Sequence, residues 1–283
     1  MAMSAVFCAH VAQAEDRDIV LGGKLLLTNG ITSIEGASGG GLATWSTIAG
    51  RETDRGIGIS AHATIVELAD FGLQSHGVAV GIANRVELSY ARQNFDTRDV
   101  GAALGIGRGY KLNQDVFGAK VRLLGDLVYG DSLVPQVSVG MQHKRNLDGP
   151  IALAVGARDN QGTDFTLSAA KLFLSHSILV GATARLTSAN EGGLLGFGSA
   201  SGKGKALQFE GSLGYQLSRR AVIGAEFRTK PDNLRLGESD WYDLFAAYAV
   251  TDKMTVTAAY TDLGTIATFD GQRGVFLSAQ IAF

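Results

Sequence analysis

Val275-Phe276-Leu277-Ser278-Ala279-Gln280-Ile281-Ala282-Phe283 alternates without a break. Val275, Leu277, Ala279, Ile281 and Phe283 fall on one side, and Phe276, Ser278, Gln280 and Ala282 on the other. A period of two, apolar on one face and small or polar on the other, describes a strand with oil on one side and something wetter on the other.

The pattern repeats upstream. Met254, Val256, Ala258 and Tyr260 form one apolar row, and Tyr242, Leu244, Ala246 and Tyr248 another, joined through Thr251-Asp252-Lys253. Leu207, Phe209, Gly211, Leu213, Tyr215 and Leu217 oppose Gln208, Glu210, Ser212, Gly214 and Gln216. Similar runs centre on Ala225, Ala182, Val139, Val121, Leu88 and Ala61. Lys171 falls on the nominal apolar face, so a bulge or strand end is expected there. Connections also alternate in length. Ala83-Asn84, Ser175-His176, Ser218 to Arg220 and Thr251 to Lys253 are short. Asp96 to Tyr110, Arg145 to Asp164, Ser188 to Lys205, Lys230 to Asp240 and Asp262 to Gln272 are long. Short turns at one end and long loops at the other are the rule for transmembrane barrels. Parity holds if Ile151 to Arg158 lies in a loop as a short helix. The expectation is an all-β, single closed antiparallel transmembrane β-barrel of about 14 strands, with 12 or 16 as alternatives because the first 50 residues are Gly-rich and weakly patterned.

Composition agrees. The 283 residues are 46% hydrophobic with a mean hydropathy of +0.12, yet 18% are charged. The longest apolar stretches, such as Ile151 to Ala157, fall far short of the roughly 18 residues of a membrane helix. The apolar content is therefore spread in alternation. Pro135, Pro150 and Pro231, the only prolines, all sit beside turn signals, as paired strands require. A net charge of −2 and the lack of a basic stripe argue against nucleic-acid binding.

Residues 1–14 read as a signal peptide. Met1 to Val11 is small and apolar, Ala12-Gln13-Ala14 is an A-x-A cleavage site, and Glu15-Asp16-Arg17-Asp18 follows. No Lys or Arg precedes it, so the true start is expected further upstream. The single cysteine, Cys8, lies in this segment, and Phe7 before it is too large for a lipoprotein box. Residues 15–283 then form the barrel, without thiol chemistry.

A closing strand that ends on Phe283 resembles the C-terminal signature of bacterial outer-membrane barrels, which implies recognition by the barrel-assembly machinery. Other segments resemble an uncharacterised, porin-like family of proteobacterial outer-membrane proteins known as a domain of unknown function. They are Lys24 to Gly36, Arg85 to Asp96, Asp99 to Tyr110, Arg228 to Leu234 and Asp262 to Gly274. The resemblance covers nearly the whole mature chain. It implies a barrel in the outer membrane and supplies no activity.

Motifs for chemistry fail on inspection. Gly105-Ile106-Gly107-Arg108-Gly109 lacks dinucleotide spacing, and Gly202-Lys203 lacks both ends of a P-loop. Ser168-Ala169-Ala170-Lys171 matches S-x-x-K but lies on an alternating strand. Of His62, His76, His143 and His176, only His62 sits where a lumenal carboxylate, Glu87 or Glu226, would make catalysis conceivable. A hydrogen-bond network is the plainer reading. No cluster has metal-ligand spacing; no catalytic residue, metal or cofactor is expected, and the chain is not expected to be an enzyme.

The polar face carries the functional reading. His62, Glu87, Lys120, Arg122, Arg185, Glu210, Glu226, Arg228 and Asp243 should point inward as pore-lining candidates. Buried charges must be paired or hydrated, so two readings stay open. One is a salt-bridge network filling a closed barrel. The other is a wet, porin-like channel for passive diffusion of small polar or charged solutes, with Asp96 to Tyr110 and Arg145 to Asp164 as candidate constrictions. A transporter of apolar compounds and a closed barrel acting through its loops are the alternatives. Tyr90, Tyr215, Tyr242, Tyr248, Tyr260 and Phe283 are expected to form interfacial aromatic girdles. The expected partners are the lipid bilayer, the assembly machinery and small solutes.

Overall fold

The computed structural model describes residues 23–129, 133–202 and 204–283, so the expected signal peptide lies outside the described residues. A short hairpin comes first, β1 (Ile31–Thr32) and β2 (Ser38–Gly39). Twelve long strands follow: β3 (Ile57–Leu68), β4 (Gly72–Ile82), β5 (Val86–Asp96), β6 (Lys111–Leu124), β7 (Gln136–Asn146), β8 (Gln161–Phe173), β9 (Ile178–Thr187), β10 (Ala206–Ser218), β11 (Ala221–Arg228), β12 (Trp241–Ala249), β13 (Met254–Asp262) and β14 (Arg273–Ala282). Each pairs antiparallel with its chain neighbours, and β14 closes on β3 through Ala279 opposite Ala63 and Ile281 opposite Ala61. Closure leaves no sheet edge, as a bilayer demands.

The period of two sets the two faces. Ile59, Leu213, Leu244 and Leu277 are about half exposed on the outer wall, while Glu87, Lys120, Arg185 and Glu226 are buried inside. The anticipated count of about 14 is corrected to the 12 that stood as an alternative. Residues 29–50 supply no strand to the wall. Gly30, Gly36 and Gly39-Gly40-Gly41 among small polar residues give this stretch no apolar face for lipid, and it folds into the lumen instead.

One end of the barrel carries the turns 83–85, 174–177, 219–220 and 250–253, and the other the long loops. Two connections break that rule. Residues 69–71 are short at the loop end, and residues 125–135 are long at the turn end. The second accounts for Lys171. The strand has no bulge there; Lys171 pairs with Val180 two residues before β8 ends, and its Nζ donates to the Asp126 carbonyl at 3.1 Å. The expected loop helix is present as α2 (Gly149–Ala154), with α1 (Arg98–Ala103) in the loop before β6.

Candidate functional site: the filled lumen

Residues 24–52 form a finger that enters at the turn end, reverses at Ser33–Ala37 and returns to the same end. Its feet are tied together by Lys24 N–H on the Arg51 carbonyl at 3.2 Å and by the Lys24–Glu52 ion pair at 3.2 Å. Burial draws the Lys24 ammonium down and pushes the Glu52 carboxyl up, with the pair opposing both shifts. Between the feet, Ile31 to Ala49 are all buried.

The fingertip carboxylate is the hub. Glu35 Oε1 accepts from Lys144 Nζ at 2.6 Å and from Arg228 Nη2 at 2.7 Å, and Oε2 lies 3.2 Å from Arg185 Nη2. Those cations also serve wall acids. Arg185 reaches Glu210 at 2.5 Å and Asp164 at 3.2 Å, and Lys144 reaches Asp164 at 2.9 Å. Side chains of the wall bind the finger's backbone as well. Glu226 accepts from Leu42 N–H at 2.8 Å and Ala43 N–H at 3.3 Å, and Glu210 from Thr44 N–H at 2.6 Å. Glu87 holds Ser38 N–H and Ala49 N–H, and Lys120 donates to the Ser38 and Thr47 carbonyls. Trp45 Nε1 donates to Ser212 and Glu226. An irregular backbone has unpaired N–H and C=O groups; in this lumen the charged wall satisfies them, which is why polar residues alternate into it.

The fit is close. A void lined by Ala37, Thr44, Glu87, Lys120 and Gln142 measures about 10 Å³, at the lower limit for one water. A methyl group on Gly40 would strike the Glu226 carboxylate, and one on Gly81 of the wall would strike the Ala49 carbonyl. Above the finger, at the loop end, Leu68, Phe71, Leu73, Phe95, Leu194, Trp241, Leu263 and Ile266 form an apolar roof, with the Phe71 and Phe95 rings stacked at 5.0 Å.

All nine inward candidates lie inside the barrel and are buried. Seven of them, Glu87, Lys120, Arg122, Arg185, Glu210, Glu226 and Arg228, are ion-paired or hydrogen-bonded; Arg122 meets Asp54 and Asp126 near the turn end. His62 is hydrogen-bonded to Ser75 at 3.3 Å. Asp243, opposite Glu226 on the next strand, has no hydrogen-bond partner for either oxygen among the described residues. The expected constrictions are displaced. Most of 98–110 stays at the rim, and the first part of the 188–205 loop turns inward instead, with Asn190, Glu191, Leu194, Leu195 and Phe197 buried. Asp164 is expected at the end of a loop, and Lys144 belongs to no expected inward row; β7 and β8 extend far enough to aim both inward. Continuing the Gln136, Ser138, Gln142 row to Lys144 would have found the first. Glu35 and Trp45 carried no periodic signal. Tyr215, Tyr242, Tyr248, Tyr260 and Phe283 are exposed near strand ends, whereas Tyr90 sits mid-strand and half buried.

Residues 28–280 match the sequence profile of the family described as "Protein of unknown function (DUF3034)". The chain belongs to that family. Among curated proteins, none matches it in sequence. In fold it is similar to the KdgM porin, solved also in complex with disordered oligogalacturonate, at a TM-score of 0.52 and 11% identity over 79% of this chain and 99% of that one. The NanC porin aligns at a TM-score of 0.49 and 10% identity over 80% and 98%. The closed barrel, its exposed apolar belt and this porin-like fold make the chain an integral protein of the bacterial outer membrane.

Proposed function

We propose that this protein is a porin-like outer-membrane channel for small polar or charged solutes, held closed by its own N-terminal finger. The turn end is periplasmic and the loop end external. The observation that carries the reading is how the finger is held. It rests in a charged, hydrogen-bonding wall, not in an apolar core, so its departure leaves a lumen that water can fill. Withdrawal of Glu35 would leave Lys144, Arg185 and Arg228 facing that water, which favours anions at this level. The similarity in fold to the KdgM porin supports a channel, and no solute follows from it.

Planar-bilayer recording tests the proposal. The intact mature chain should be mostly silent. A variant with Gly81→Leu, which fills the finger's path from the wall, should give frequent conductance steps, and so should a chain lacking residues 24–50. Anion preference in the open state should fall when Lys120, Arg122 and Arg185 are neutralised together, and the effect should shrink in 1 M salt, where the Debye length is about 3 Å. Folded finger-less barrels that give no steps at any voltage would overturn the channel reading.

A further inference from the structure

The outer wall is not uniformly apolar. On β10 the outward row from Leu207 to Leu217 is oil-facing throughout. At about 2.5 Å of height per residue in a tilted strand it spans about 25 Å, the height of an outer-membrane belt. On β5 the apolar row runs only from Val86 to Tyr90, about 10 Å. Above it the outward residues of β4–β7 are polar: His76, Arg92, Lys111, Asp115 and Arg145. The boundary is marked by Tyr90, whose ring packs on Phe117 at 5.1 Å and whose hydroxyl donates upward to Asp115 at 2.9 Å. Nothing in the finger or the lumen explains these residues, because they face away from both.

The charges on this face do not cancel. Asp115 is taken by Arg92 in a two-pronged contact at 2.5 and 3.2 Å. Asp96, opposite Lys111, has Oδ1 turned to the Arg98 N–H at 2.8 Å. Lys111 and Arg145 are exposed and form no ion pair among the described residues. They stand on adjacent strands in the external half of the wall, Arg145 opposite Asp115 just above the oil-facing Phe117 and Met141, and Lys111 four residues further out on β6. A cation bordering hydrocarbon needs an anion at the same depth. A second copy of this chain in a twofold contact would bring Lys111 and Arg145 towards their own kind, whereas a phosphate complements both.

We propose that the external half of β4–β7 binds the phosphorylated headgroup of an outer-leaflet glycolipid. Arg145 and, further out, Lys111 hold phosphate oxygens of the headgroup, the Arg92–Asp115 pair and His76 border them, and the acyl chains lie on the shortened belt below. The site is independent of whether the lumen conducts.

The full mature chain in phosphatidylcholine nanodiscs doped with lipid A tests this by native mass spectrometry. The wild type should retain lipid A, and Lys111→Ala with Arg145→Ala should lower occupancy at least tenfold. Lys111→Arg with Arg145→Lys should keep it, and Lys253→Ala at the other rim should change nothing. Heat-shifted migration on gels confirms that each variant is folded. Equal retention in the double alanine variant, or of dephosphorylated lipid A, would overturn the proposal. Equal retention of phosphatidylglycerol would also overturn it, leaving a general anionic-lipid site. A lipid-independent dimer that the double variant splits would overturn it in favour of self-association.

Discussion

Glu35 is the residue on which the packing of the finger turns. It shares three cations with Asp164 and Glu210, all nearly dry. A buried pair adds little over a well-packed apolar substitute, but removing one partner strands the others and typically costs about 3–5 kcal/mol. Glu35→Gln should therefore loosen the finger while the wall stays paired. Labelling of a Ser46→Cys probe in a Cys8→Ser background checks this, since Ser46 is fully buried. Labelling should speed up more than tenfold; an unchanged rate would mean that the backbone contacts to Glu87, Glu210 and Glu226 suffice. The sequence offered no access to Glu35. Its importance comes from three strands converging on one point, and no local period records that. The wall residues were legible because each sits in an alternating row whose other members are lipid-facing.

At the scale of elements, the inward fold of the 188–205 loop depends on Glu191, Lys230 and Glu238. Lys230 Nζ lies 2.6 Å from Glu191 and 2.7 Å from Glu238, one cation between two carboxylates. Burial pushes the Glu191 carboxyl well above its usual range, with Lys230 opposing and Glu238 reinforcing the rise. An acid whose docked pKa is raised binds its proton more tightly when docked. Docking is then strongest below the ordinary Glu value of 4.5 and weakens as pH climbs through the raised value. Lys230, itself shifted upward against its burial by the two carboxylates, contributes its part throughout this window and loses it only above its ordinary 10.5. Hydrogen exchange of residues 188–198, corrected for intrinsic rates, should be faster at about pH 8 than at about pH 5. Glu191→Gln should flatten the difference, and exchange that is slower at the higher pH would refute the assignment. The loop was legible as long and Gly-rich, but its inward turn was not. That depends on where Lys230, 39 residues after Glu191, arrives in space.

For the whole molecule, strand number and closure follow from counting rows, and the surplus expected from the first 50 residues has a physical cause. A strand must show lipid an apolar face, and Gly39-Gly40-Gly41 cannot. The seam between the last and first wall strands ends on Phe283. Its N–H donates to the Ile59 carbonyl at 2.8 Å, and its own carbonyl accepts from Ile59 N–H at 3.2 Å and from Arg51 N–H at 3.0 Å. Lys253 lies over its ring at 4.9 Å. One residue thus joins β3, the foot of the finger and the β12–β13 turn. Deleting Phe283 should lower the heat-shiftable, folded fraction in outer-membrane preparations several-fold, and an unchanged fraction would show that the remaining seam is enough.

The finger has both feet on one side, and that makes the barrel directional. A roof of Phe71, Phe95, Leu194 and Trp241 stands over its tip, while among the described residues its base is fastened by the Lys24–Glu52 ion pair and by backbone bonds from Lys24 to Arg51 and from Arg51 to Phe283. A pull from beneath draws it out along the path it fills, whereas a pull from above carries its tip against that roof. With the turn end periplasmic, as proposed above, the finger is a stopper whose handle lies inside the cell envelope. On that orientation, release would be mechanically the cell's to perform, from the periplasmic side.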